Sequence, residues 1–114
     1  MVDLASQMHH IFPVSDYPAI SDSLENLIAL TPSQHYINAH PNNNTKYINR
    51  EYQYICLVSK TGTIKDNLMD DKLQTIYNFD AFKYVLNIGL ETDKFENIVS
   101  NDFNTILQTL DLFY

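Results

Sequence analysis

Apolar side chains recur at helical spacing through the second half of the chain. The spacing predicts helices over residues 49–60, 64–77 and 81–90 and a last helix that begins near Asp102, with Thr61-Gly62-Thr63 interrupting the first two. Two of these helices carry an apolar face, formed in one by Phe82, Val85, Leu86 and Gly89 and in the other by Phe103, Ile106, Leu107 and Leu110. Such faces are typical of amphipathic helices that pack on one another.

The first half of the chain follows a different pattern, in which short apolar runs alternate with turn-forming residues. Residues 3–12 predict an extended segment, residues 13–23 a loop rich in Pro, Asp and Ser, and residues 24–30 a short strand. Thr31 is a favourable N-cap and is followed by Pro, so we expect a helix over residues 32–39. The predicted order is strand, loop, strand and helix.

The chain is acidic, with 7 basic against 14 acidic residues and a net charge of −7. A free-standing DNA-binding protein normally presents a basic face. The excess is uneven, because residues 51–114 carry a net −5 and residues 1–50 only −2. Two interpretations are open for the basic residues nearest the first half: they line a track for DNA phosphates, or they are scattered charges in solvent. These residues are Lys46, Arg50, Lys60 and Lys65.

Cys56 is the single cysteine, which excludes an internal disulfide and a thiolate zinc site. Its apolar neighbours favour a buried core thiol over a catalytic nucleophile. The chain has no apolar run of roughly 18 residues that would span a membrane, and its start lacks the pattern of a signal peptide. We therefore expect a cytoplasmic protein.

Three histidines and one asparagine occupy special points of this pattern. His9 and His10 end the first extended segment, Asn26 opens the second strand, and His35 lies one turn into the predicted helix. Hydrolysis of a phosphodiester needs a base that deprotonates water and a metal ion that neutralises the phosphate. Because adjacent strand residues point to opposite sides, His9 and His10 can divide these two tasks. A histidine on the facing helix can complete the metal site.

The run His9-His10-Ile11-Phe12-Pro13, followed by Asn26-Leu27 and by a helix with His35, resembles the HNH (ββα-metal) endonuclease motif. That family has an acidic residue or His, then His, Ile, any residue and Pro, then Asn-Leu, then a helix with His or Asn. The separations of 16 residues from His10 to Asn26 and 9 from Asn26 to His35 match the family. The resemblance covers about residues 5–41, and the surrounding residues are most similar to bacterial HNH-type type II restriction endonucleases.

The resemblance implies a role for each of these residues. His10 matches the general base, His9 and His35 match the metal ligands, and Asn26 matches the asparagine that fixes the base-bearing loop through its backbone. Two protein ligands suit Mg²⁺ by their number, whereas imidazole ligands also suit Mn²⁺, Zn²⁺ or Ni²⁺. Members that resemble colicin nucleases have a third histidine four residues after the helix ligand, but here His40 comes one residue later.

These observations predict an α+β fold, with the ββα-metal motif in residues 1–45 and a mainly helical extension packed on it in residues 46–114. The predicted function is metal-dependent cleavage of double-stranded DNA, by a restriction-type endonuclease or by the C-terminal catalytic fragment of one whose recognition region precedes this segment. Two alternatives stay open. One is an inactive remnant, or a DNA- or protein-binding module, that keeps the fold. The other is a structural zinc module built from His9, His35 and His40.

Overall fold

The structure, a computed structural model, describes residues 7–31 and 49–114. Within these ranges, two short strands pair antiparallel, and residues 49–114 contain three α-helices. The elements are β1 (Gln7–His10), β2 (Leu27–Leu30), α1 (Arg50–Met69), α2 (Phe79–Gly89) and α3 (Phe103–Leu110). The described residues thus form an α+β fold, as the sequence predicts. The helix expected over residues 32–39 lies outside them.

The loop between the strands contains two single turns of 3-10 helix, Pro18–Ile20 and Leu24–Asn26. The sequence predicts a strand over residues 24–30, but the first three of these residues form the second turn. Two backbone hydrogen bonds close this turn: Asn26 donates to the carbonyl of Ser23 at 3.0 Å, and Leu27, the first residue of β2, donates to that of Leu24. Asn26 therefore precedes β2 and does not open it.

Helix α1 is longer than the sequence pattern predicts. It starts at the N-cap Asn49, as expected, but it continues through Thr61-Gly62-Thr63 to Met69. The expected interruption, and the separate helix over residues 64–77, are therefore wrong. The hydroxyls of both threonines donate to carbonyl oxygens one turn back, at 2.7 and 3.1 Å, so these side chains are satisfied inside the helix.

The helices and the interstrand loop share one apolar core. The faces predicted for α2 and α3 are confirmed, since all their members except the half-buried Leu107 are buried. The buried apolar side chains that form the core are Ile11, Phe12, Ile20, Cys56, Leu57, Ile64, Phe79, Phe82, Val85, Leu86, Phe95, Ile98, Phe103, Ile106 and Leu110. The segment that follows β1 is thus part of the same core as the helices.

Cys56 is a core thiol, as its neighbours predict. Its side chain is buried, and this burial raises the pKa of the thiol to about 11. The thiol is therefore protonated near neutral pH, which removes the thiolate that nucleophilic chemistry would need. In the described ranges no helix is both long enough and apolar enough to cross a bilayer.

Phe12 packs directly against α2 at Gly89. A Cβ atom at position 89 would stand 2.4 Å from carbons of the buried Phe12 ring. Because Gly89 has only a hydrogen atom in place of a side chain, the helix and the loop can pack in contact here. Gly62 on α1 is the opposite case, because a Cβ there would meet nothing within 4 Å.

We expect Gly89→Ala to lower the free energy of unfolding by about 1–3 kcal/mol, because the added methyl must displace a ring in a packed core. Gly62→Ala is the matched control: it makes the same change inside a helix, but into open space. It should raise stability by about 0.5–1 kcal/mol through helix propensity alone. Urea unfolding followed by circular dichroism measures both variants, and equal effects would contradict the packing of Phe12 on Gly89.

Candidate active site

His9 and His10 end strand β1 and point to opposite faces of the two-stranded sheet. His9 is 2% exposed and lies opposite Ile28, whose side chain packs against the core. His10 is half-buried and lies opposite Leu27. The pair thus comprises one buried and one more accessible imidazole.

The loop that follows β1 orients the His10 ring. Its Nε2 lies 3.1 Å from the carbonyl oxygen of Ser21. Because a carbonyl oxygen only accepts, Nε2 carries a proton, and in the neutral ring the lone pair is on Nδ1. Ser21 is itself fixed, since its hydroxyl and its N–H both donate to the carbonyl of Pro18, at 2.9 and 3.3 Å. The arrangement presents Nδ1 as the acceptor for a proton.

Asn26 is fully buried and holds this loop together by its side chain. Its Oδ1 accepts from the N–H of Phe12 at 2.9 Å, and its Nδ2 donates to the carbonyl of Phe12 at 3.1 Å. The same Nδ2 lies 3.4 Å from the carbonyl of Ile20, next to Ser21. Asn26 therefore joins the segment after His10 to the segment that bonds the His10 ring.

Gln53 on α1 reaches the residue that follows His10. Its Nε2 donates to the carbonyl of Ile11 at 3.1 Å, and its Oε1 accepts from the hydroxyl of Tyr114. Burial raises the pKa of Tyr114 to about 12, although the nearby charge of Arg50 opposes the shift, so the hydroxyl keeps its proton at neutral pH. Tyr114 is thus connected through the Gln53 side chain to the residue that follows β1.

Glu25 connects the interstrand loop to α2. Its carboxylate is buried and accepts a hydrogen bond at 3.0 Å from the backbone N–H of Asn78, the N-cap residue of that helix. A carboxylate near a helix N-terminus is favoured by the helix dipole. This contact fixes the loop against α2 immediately before Asn26.

Of the described basic residues that the sequence offers for a phosphate track, Lys60 and Arg50 are engaged by other groups of the protein. Lys60 is 4% exposed, and its Nζ donates to the hydroxyl of Tyr77 at 2.8 Å, so it is neither a phosphate contact nor a solvated charge. Arg50 is exposed, but it donates to the carbonyl of Phe113 at 2.6 Å and lies over the ring of Tyr114. Lys65 is exposed, and Lys46 lies outside the described residues.

The structure brings His9, His10 and Asn26 together at the end of β1. His35 and His40 lie outside the described residues, so the metal site stays a prediction. Among residues 7–31 and 49–114 there is no group of three or more His, Cys, Asp or Glu side chains that could hold an ion. His9 is the described member of the expected donor pair.

Sequence reasoning did not identify Gln53 or Glu25 as parts of this region. Gln53 had a detectable signal, because it is a polar residue at helical spacing from the apolar Cys56 and Leu57. A buried amide on an apolar face needs a partner. Residue spacing cannot reveal the bond between Gln53 and Ile11 or the bond between Asn78 and Glu25, because each bond joins residues that are far apart in the chain.

We expect Asn26→Ala to lower the free energy of unfolding by about 2–4 kcal/mol, because it leaves the buried N–H and C=O of Phe12 without their partner. The matched control is Asn104→Ala on the exposed side of α3, which should change stability by less than about 0.5 kcal/mol. Thermal and urea unfolding measure both. A small loss for Asn26→Ala would show that the loop does not depend on this side chain.

Comparison of the chain with protein-family models, with curated protein sequences and with solved structures finds no match.

Proposed function

We propose that this chain is a metal-dependent DNA endonuclease of restriction type, or the catalytic part of one, with His10 as its general base. The observation that carries the proposal is the hydrogen bond from His10 Nε2 to the Ser21 carbonyl at 3.1 Å. It selects the tautomer in which Nδ1 can accept a proton. A base of this kind needs a fixed direction as well as a suitable protonation state.

In the proposed reaction, His10 Nδ1 accepts a proton from the water that attacks the phosphorus atom. The Ser21 carbonyl stabilises the imidazolium that forms, because Nε2–H then donates from a charged ring. Asn26 is a positioning residue, since its bonds go to the backbone of Phe12 and Ile20. The resemblance to the HNH motif supports these assignments by residue type and spacing.

The divalent ion that this family uses would be held by His9 and His35. Neutral imidazole is a common metal ligand, and His9 lies beside the base without sharing its face of the sheet. When bound, the ion would neutralise the phosphate and assist departure of the leaving oxygen.

A second candidate function is a binding module or inactive remnant that keeps the same arrangement. The net charge of −7 favours it, because non-specific DNA affinity depends on Lys and Arg at the phosphates. Two of the five described lysines add little to a basic face, since Lys60 is buried and Lys83 lies 3.3 Å from Asp80. Activity must therefore be measured together with binding.

Plasmid nicking tests the endonuclease proposal directly. We expect the protein to convert supercoiled plasmid into open circles with Mg²⁺ or Mn²⁺, and to stop when EDTA is added. His10→Ala should slow nicking by at least about 100-fold, in line with the usual contribution of a general base. Gel electrophoresis over a time course measures the rates.

Asn104→Ala is the control for preparation and folding, since its exposed site on α3 is outside the proposed machinery. It should nick at the wild-type rate. Folded wild-type protein that cuts with none of Mg²⁺, Mn²⁺, Zn²⁺ and Ni²⁺ would refute the endonuclease proposal and leave the binding module. Equal nicking by His10→Ala would refute the role of His10.

Chelation separates both proposals from a structural zinc module. Apart from Cys56, the described core consists of aliphatic and aromatic side chains, so we expect the fold to survive without a metal. Structural zinc supplies folding energy, and its removal unfolds such modules. Far-ultraviolet circular dichroism in excess EDTA should therefore show the full helix signal. Loss of that signal, with recovery on adding Zn²⁺, would establish the zinc module instead.

A further inference from the structure

Ile11, the residue after the proposed base, is held through both of its backbone groups. Its N–H, which belongs to the peptide it shares with His10, donates to the carbonyl of Asn26 at 2.8 Å. Its carbonyl accepts from Gln53 Nε2 at 3.1 Å. The first bond comes from the loop that precedes β2, and the second comes from helix α1. Together they restrict rotation of the backbone immediately after His10.

The Ile11 carbonyl only accepts, so the Nε2 end of the Gln53 amide faces it, and Tyr114 holds the other end of the amide. The hydroxyl of Tyr114 donates to Oε1, which leaves Nε2 directed at the Ile11 carbonyl. A flipped amide would place Oε1 against that carbonyl, two acceptors facing each other. The hydroxyl of Tyr114 thus stabilises the orientation in which Gln53 holds the backbone.

Tyr114 is itself held from two sides. The guanidinium of Arg50 lies 4.6 Å from the centre of its ring, and the ring of Tyr54 lies 5.1 Å away on centroids. Arg50 also donates to the carbonyl of Phe113 at 2.6 Å, and the hydroxyl of Tyr54 donates to Asp111. Phe113 and Tyr114 are therefore held against the first turn of α1, beside Gln53.

We propose that Gln53, held by Tyr114, is a positioning residue for His10, so that Tyr114 contributes to the alignment of the base. The effect of Gln53 and Tyr114 on the rate of DNA cleavage rests on the proposed function. Their effect on the orientation of the His10 ring can be measured without activity.

Asn67 is the matched control for a purely stabilising role. Like Gln53, it is a 9% exposed amide on α1 that bonds distant backbone groups. Its partners, however, are the carbonyl of Gln74 and the N–H groups of Ile76 and Tyr77, at 2.8 to 3.2 Å. Asn67→Leu should therefore lower the free energy of unfolding by a comparable amount. It should leave the segment after His10 unaffected, because Asn67 bonds none of its residues.

The experiment compares Gln53→Met, Tyr114→Phe and Asn67→Leu with the wild-type protein. Proton–nitrogen correlation spectra of the histidine rings report the His10 tautomer, and plasmid nicking at equal folded fraction reports the rate. We expect Gln53→Met to mix the two tautomers and slow nicking about tenfold, the kind of loss a displaced catalytic group produces. Tyr114→Phe, which removes only a hydroxyl, should cause a smaller change in the same direction. Asn67→Leu should leave the His10 signals and the rate unchanged.

The double variant Gln53→Met with Tyr114→Phe should be no slower than Gln53→Met alone, because the tyrosine acts through the glutamine. Unchanged His10 signals in both single variants would overturn the inference, even where nicking by the wild-type protein upholds the endonuclease proposal. If the wild-type protein does not nick, the ring spectra still decide whether Gln53 and Tyr114 position His10. If Gln53→Met does not fold, the inference is decided by the His10 signals of Tyr114→Phe, which keeps the ring and its packing.

Discussion

The paired hydrogen bonds between the Asn26 side chain and the backbone of Phe12 are the contact on which the N-terminal part of the structure depends. Phe12 is in the core, so its N–H and C=O are removed from water and need partners within the protein. One amide side chain supplies both, at 2.9 and 3.1 Å, and its further contact to Ile20 folds the loop back towards β1. That closure brings the Ser21 carbonyl to the His10 ring.

The helices hold the same segment from the other side. Gly89 lets Phe12 lie against α2, Glu25 joins the loop to the start of that helix, and Gln53 bonds the carbonyl of Ile11. A pair of 4-residue strands is only marginally stable on its own, because it buries little apolar surface. The orientation of His10 is therefore a property of the strands and helices together, although the sequence pattern separates them into two units.

The sequence predicts those features that depend on neighbours within one or two turns. The faces of α2 and α3 follow from apolar spacing, and the buried Cys56 follows from its surroundings. The break expected at Thr61-Gly62-Thr63 fails because threonine hydroxyls can bond inside a helix, which propensity does not capture. For the candidate site, residue types and spacing indicate His9, His10 and Asn26. They do not indicate Gln53 or Glu25, whose partners are 42 and 53 residues away.

An acidic chain can still carry the proposed chemistry, because the groups that orient His10 need not be the groups that neutralise the phosphate. The bonds around His10 use neutral backbone and amide groups, so they direct the base without adding positive charge. Two of the described cations are engaged within the protein, since Lys60 is buried against Tyr77 and Arg50 donates to the carbonyl of Phe113. Neutralisation of the phosphate in the proposed enzyme would be the role of the ion expected at His9 and His35. In the proposed enzyme, the protein supplies the direction of proton transfer, and the metal supplies the charge.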